Sequence, residues 1–193
     1  MQYYVVTFTH TKLAGWAAHL HAHVAYLNKL IDEGKLQISG PGVDTPVRSA
    51  QLVFKTTDRE ELDKLVANDP YSIHDLVASQ TTNLWDVQVG SMEKPDTPDP
   101  KGTKYFRATF ALPEGTDTSS VDDERKAYLE ALLAEKKIRA AGTYVNAPFE
   151  GLSILSVPSK ETAEDIMKND PFVKKLGAKY EVIEWDPKFG DFK

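Results

Sequence analysis

The chain has 193 residues, 41% hydrophobic and 27% charged, with a formal net charge of −6; this is ordinary globular composition, long enough for one large or two small domains. Residues 1–93 carry 7 basic and 11 acidic side chains and residues 94–193 carry 16 and 18, so neither half presents the basic face that nucleic acid calls for. Cysteine is absent, which excludes disulfides, thiolate metal sites and a Cys nucleophile. Met1–Val6 has no basic, apolar leader pattern, and no apolar run approaches the roughly 18–20 residues of a membrane span. The expectation is a cytoplasmic protein with neither nucleic acid nor membrane as partner.

Tyr3 to Thr9 is rich in aromatic and β-branched residues and reads as a strand. Trp16 to Glu33 reads as a helix, with Trp16, Leu20, Val24, Leu27 and Ile31 at helical spacing and Leu30 beside that stripe. Gly34 fits its C-terminal end. Leu36 to Ser39 is a short strand ending in a tight turn, Gly40-Pro41-Gly42. Ala50 to Thr56 is the next strand. Asp58 caps a helix whose Leu62, Leu65 and Val66 face inward, with Glu60 and Glu61 in its first turn. Asn68-Asp69-Pro70 breaks that helix, a short helix Tyr71 to Val77 follows, and Asn83 to Val89 is the last strand.

The second half repeats this pattern. Tyr3–Phe8 aligns with Tyr105–Phe110, Ala25-Tyr26-Leu27 with Ala127-Tyr128-Leu129, Gly40 with Gly142 and Pro46 with Pro148, all at one offset of 102. After single-residue gaps, Asn68-Asp69-Pro70-Tyr71 meets Asn169-Asp170-Pro171-Phe172, and Trp85-Asp86 meets Trp185-Asp186. The second copy predicts strand Tyr105–Leu112, helix Val121–Lys136, strands Ile138–Gly142 and Leu152–Val157, helix Lys160–Lys168 and strand Tyr180–Asp186. So long a period implies that each copy folds around its own core. We expect domains at 1–90 and 104–193, joined by a proline-rich, extended linker at 91–103. The order β-α-β-β-α-β is the ferredoxin-like arrangement, with helices on one sheet face only. The open faces of two fused copies can cover each other. The expected fold class is therefore α+β, two fused ferredoxin-like units forming a pseudo-dimeric α+β barrel within one chain, with a cleft where the sheets leave space.

Three of the five histidines lie in His19-Leu20-His21-Ala22-His23. His23, between Leu20 and Leu27, sits at the buried edge of its helix. An imidazole there suits acid–base work near neutral pH, or is a structural histidine satisfied by a neighbour. His19 and His23 at i, i+4 could in principle share a metal, but no carboxylate cluster accompanies them, so no metal site is expected. His10 ends a strand, where it either contacts ligand or is a loop histidine. Tyr26, Tyr71 and Trp85 are core candidates, some of which could line a pocket. Asp69 before Pro70 reads as a helix cap.

The ordered set Ala22-His23-Val24-Ala25-Tyr26-Leu27, Asp32-Glu33-Gly34-Lys35-Leu36, Ser39-Gly40-Pro41 and Asn68-Asp69-Pro70-Tyr71 resembles the YCII-related domain, a family of small dimeric α+β barrel proteins known as single copies and fused repeats. The resemblance covers most of 1–90 and, more weakly, 104–187. It implies a histidine–aspartate pair with a possible catalytic role, matching His23 and Asp69. Asp170 matches in the second copy, but Arg125 stands at the histidine position and Thr143 where the family has proline. Relatives include dehydrochlorinase and muconolactone-type enzymes.

These readings converge on a small-molecule enzyme, a lyase or isomerase. It would use His23 and Asp69 without cofactor, with His10, Tyr26, Tyr71 and Trp85 binding the substrate. The alternative is a non-catalytic metabolite-binding or interaction module on the same fold; a haem- or quinone-type monooxygenase on the same barrel is a third possibility, with no motif of its own here. A monomer that is internally a pseudo-dimer is expected, or a homodimer of it.

Overall fold

The computed structural model describes residues 1–43, 45–94 and 96–190. Contacts divide the chain into two compact units. One is Met1–Leu84 together with the chain from Asp186 onward, and the other is Trp85–Trp185. Both changes of unit fall at the aligned Trp-Asp pairs, Trp85-Asp86 and Trp185-Asp186.

The first unit holds β1 (Gln2–His10), α1 (Leu13–Asp32), β2 (Leu36–Pro41), β3 (Arg48–Thr56), α2 (Arg59–Ala67), α3 (Pro70–Ile73) and the first half of β4 (Ser79–Gly90). Its strand order is β4-β1-β3-β2-β9, where β9 is the two-residue strand Phe189–Gly190. β1 and β3 are antiparallel, from Gln2 opposite Thr56 to His10 opposite Arg48. Directly opposed residues point to the same face, so Tyr4, Val6 and Phe8 share one face with Phe54, Leu52 and Ala50. That face packs on Leu27 and Leu30 of α1 and on Leu62 and Val66 of α2. Burying each such side chain contributes about 1.5–3 kcal/mol.

The helices follow from local chemistry. Asp58 accepts the backbone N–H of Glu61 at 2.9 Å and starts α2, a cap that contributes about 1 kcal/mol. Gly34, with φ +70°, ends α1 in the left-handed conformation that residues with a Cβ adopt at a cost. α1 begins at Leu13, earlier than its periodicity predicts. Its inner stripe is also shifted: Leu27 and Leu30 are each 1% exposed, Ile31 is only partly buried and Leu20 is 40% exposed.

Gly40 does not form the expected turn. It lies within β2, and a Cβ there would stand 2.2 Å from the carbonyl oxygen of Asp186. Glycine lets the C-terminal segment run against the strand: Asp186 N–H donates to Pro41 O at 3.0 Å and Lys188 N–H to Ser39 O at 2.9 Å.

The second unit holds β5 (Lys104–Ala111), α4 (Asp122–Ala134), β6 (Ile138–Tyr144), β7 (Ala147–Val157), α5 (Lys160–Asn169), α6 (Pro171–Leu176) and β8 (Lys179–Trp185), with the second half of β4. The order is β8-β5-β7-β6-β4, the same scheme with Trp85–Gly90 in the place that β9 takes in the first unit. Gly142 repeats the role of Gly40: a Cβ there would stand 1.7 Å from Asp86 O. The helix α6, not expected from the sequence, is the counterpart of α3. The 91–103 segment is docked on this unit. Met92 is fully buried, and Asp99 pairs with Arg139 at 2.6 Å and accepts the Tyr105 hydroxyl. Pro95 of that segment and residues 191–193 of the expected second domain lie outside the described residues. Among the described residues no helix is long and apolar enough to cross a membrane.

Candidate active site

The break between α2 and α3 builds the site. Pro70 forces the preceding residue out of the helical region, and Asp69 is extended, at φ −64° and ψ 129°. From there its Oδ1 accepts the backbone N–H of Tyr71 at 2.8 Å, capping α3 with Pro70 at the first helical position. The same oxygen lies 2.8 Å from Nδ1 of His23 on α1. An ionised carboxylate has only acceptors to offer, so the ring proton sits on Nδ1 and His23 donates. In the neutral ring this tautomer leaves the lone pair on Nε2. The side chains of His23 and Asp69 are 12% and 3% exposed, so this bond is shielded from competing water.

Tyr71 completes the arrangement. Its ring stacks on His23 at 3.9 Å and 12° from parallel, and contacts His10 edge-on at 5.4 Å and Trp16 at 5.6 Å. Its hydroxyl is buried without a hydrogen-bond partner among the described residues. Burial, reinforced by the charge of Asp69, pushes the phenol far above its usual value, so it stays protonated. His10 Nδ1 donates to Leu76 O at 3.2 Å. Burial lowers the His10 pKa, with the Leu76 bond opposing, which keeps His10 neutral.

These side chains border a cavity of about 450 Å³, the size of a small-molecule site. It lies between α1 and the helix-side face of β1 and β3, lined wholly by residues of the first unit. The walls are mainly apolar (Phe8, Leu20, Val24, Leu27, Leu52), which explains why Leu20 and Val24 are not in the core: they face the cavity. His10, His23 and Tyr71 are among its lining residues. Tyr26 and Trp85 are not among its lining residues. Tyr26 instead ties α1 to α2, its hydroxyl donating to Leu65 O at 2.8 Å, and burial pushes its pKa up to about 12. Trp85 is 2% exposed and belongs to the second unit.

Sequence reasoning missed Trp16 as a wall, and it missed Arg48 and Lys188 altogether. Arg48 is set by strand register, directly opposite His10; the run of β-branched and apolar residues that follows it was the only local signal. Lys188 arrives with the C-terminal segment, for which nothing in the sequence gave a cue.

Of the remaining histidines, His21 is exposed and His19 stacks on His74 at 3.6 Å. The described residues contain no group of three or more metal-ligating side chains.

The second unit keeps the scaffold and changes the chemistry. Asp170 caps α6 by accepting the Phe172 N–H at 2.8 Å, as Asp69 does for Tyr71. Arg125 replaces His23, and its Nε donates to Asp170 Oδ1 at 3.0 Å and Oδ2 at 3.1 Å. Both partners are at most 3% exposed. The guanidinium lies 4.6 Å from the Phe110 ring and 4.2 Å from that of Phe172. Arginine stays charged under all ordinary conditions, so this pair forms a buried structural bridge with no neutral nitrogen to take a proton.

The fold is shared with several solved structures. A proposed monooxygenase from Fusobacterium nucleatum is 14% identical with a TM-score of 0.64, covering 97% of this chain and 94% of that one. A proposed monooxygenase from Lactobacillus acidophilus is 9% identical with a TM-score of 0.62, covering 98% and 95%. A heme-binding protein from Thermus thermophilus is 11% identical with a TM-score of 0.60, covering 95% and 91%. At these identities the likeness speaks for the fold alone. It agrees with the expected class, an α+β protein of two fused ferredoxin-like units. No functionally curated protein matches the sequence. The YCII-related domain model matches residues 1–85 and again 105–186, and the chain belongs to the YCII-related family as a tandem pair.

Proposed function

We propose that this protein is a cofactor-independent enzyme that moves a proton on a small organic substrate held in the first-unit cavity, in an isomerisation or an elimination. The observation that carries this reading is the 2.8 Å bond from His23 Nδ1 to Asp69, in a residue that also lines the cavity. Nε2 takes a proton from an acidic C–H. In an elimination the electron pair left behind forms a double bond as the leaving group departs; in an isomerisation the proton returns at another carbon. Asp69 is a positioning residue: it fixes the tautomer and stabilises the imidazolium that forms. The packed ring of Tyr71 holds the imidazole plane. Arg125 in the second unit performs no such step, so each chain has one site.

One observation favours a second reading, a non-catalytic metabolite-binding module. Asp170 makes the same cap with no histidine beside it, so capping alone accounts for an aspartate at position 69.

Deuterium exchange separates the two. Enol lactones, 1,3-dicarbonyl compounds and β-halo carbonyl compounds are incubated with enzyme in D2O and followed by proton NMR. The catalytic reading expects wild-type protein to accelerate exchange or elimination for at least one class. His23→Gln should lower that rate about 100-fold or more, the usual contribution of a general base, with an unchanged circular dichroism spectrum. Equal rates for the wild type and His23→Gln in every class would leave the binding reading.

A further inference from the structure

The permanently charged side chains among the described residues that line the first-unit cavity are both cationic. Among the described residues its lining contains no aspartate or glutamate, but it does contain Arg48 and Lys188. Lys188 is neutralised by an ion pair with Asp186. Arg48 has no carboxylate partner among the described residues. Its guanidinium carbon instead lies over the Trp16 indole, 3.6 Å from the ring centre. The second unit provides an internal contrast: its cavity, about 530 Å³, is lined by Asp122 and Asp123 as well as Arg125 and Lys126. A net cationic lining is therefore a property of the cavity that holds His23, and does not follow from the shared scaffold.

An arginine stacked on an aromatic ring is fixed in plane while the edge of its guanidinium stays open. Such an edge matches the two oxygens of a carboxylate. Register adds to this. Arg48 stands opposite His10, both on the cavity side of the β1–β3 pair. His10 donates its Nδ1 proton to Leu76 and is kept neutral by burial, so it brings no second charge to compete. From Arg48 the row runs through Trp16 and Tyr71 to His23, each in ring contact with the next. A ligand anchored at Arg48 would lay its carbon skeleton along apolar walls and reach the imidazole at its far end.

We infer that the first-unit cavity selects small, largely apolar carboxylic acids in their anionic form, with Arg48 as the residue that reads the carboxylate. This deepens the proposal above, since it names the substrate class of the same site: the carboxylate would be the handle, and the acidic C–H would lie elsewhere on the molecule, toward His23.

Benzoate and benzamide form a matched pair, alike in size and shape and different in charge. Their affinities are measured by ligand-observed NMR and calorimetry at neutral pH, with the Trp16 indole N–H signal reporting the place of binding. Wild-type protein should bind benzoate about ten-fold or more tightly than benzamide, the size expected of a charge-assisted contact, and shift the Trp16 signal. Arg48→Gln should bring the ratio close to one, and Arg48→Lys should keep part of it. Arg48 is exposed, so these variants should fold. Equal affinity for the two probes, a preference that survives Arg48→Gln, or no binding of benzoate would overturn the inference. His23→Gln separates the two proposals. If benzoate selectivity holds while that variant leaves deuterium exchange unchanged, the acid–base reading fails and the carboxylate reading stands. If exchange depends on His23 but benzoate and benzamide bind alike, the reverse is true.

Discussion

At the scale of single residues, the two copies set one carboxylate position to two tasks. Asp69 and Asp170 make the same cap, because the Asp-Pro pair dictates it. What differs is the partner from the preceding long helix: a polarisable imidazole in one copy and a permanent cation in the other. Stability should register the difference. Asp170→Asn keeps a capping oxygen but strands the buried Arg125 charge, and removing one partner of a buried ion pair costs about 3–5 kcal/mol. Asp69→Asn also keeps a cap and faces a histidine that can remain neutral, so it should cost only about 1–2 kcal/mol. Urea unfolding of the two variants tests this; equal losses would contradict the assignment of a structural bridge to one copy and a proton-handling pair to the other. The pairing of His23 with Asp69 was legible only through the ordered family motifs, since 46 residues separate them. Arg48 was not legible, because its place depends on cross-strand register and on which wall of a cavity its strand forms. Regular aromatic spacing signals packing: Trp85 is buried and Tyr26 partly buried against the core, and neither is among the cavity's lining residues.

Among elements, the helices and long strands follow from periodicity, and their bounds move by only a few residues. The misses share a cause. The strand β9 has two residues and exists only because β2 offers it an edge. The expected turn at Gly40-Pro41 is strand, because the glycine serves a close approach by a segment nearly 150 residues away. The prediction at this scale concerns that approach. Gly40→Ala and Gly142→Ala each place a methyl group inside the contact distance of a backbone oxygen, where no flexible side chain can yield. Each should destabilise its own unit by about 1–3 kcal/mol. Thermal unfolding that matches wild type in both variants would show that the C-terminal segment and the second half of β4 do not pack as described. The helix α6 is legible in the sequence by comparison of the copies, since Asp170-Pro171 repeats the cap and first-turn proline of Asp69-Pro70.

For the molecule as a whole, the duplication was readable directly from aligned motifs, and it supplies the strongest argument about function. Two copies of one scaffold, each with its own cavity, let the sequence act as its own control. The copy with Arg125 shows that folding has no need of an imidazole at that position. The copy with His23 couples the imidazole to a buried carboxylate and turns it to a cavity with no acidic side chain in its lining among the described residues. The central claim is that this coupling holds the tautomer in which Nε2 serves as the base. Long-range proton–nitrogen NMR of the His23 ring tests it most directly. The account predicts a neutral ring protonated on Nδ1, with an unprotonated Nε2 whose signal shifts in Asp69→Asn and when a ligand enters the cavity. A ring protonated on Nε2, or one indifferent to Asp69→Asn, would contradict it.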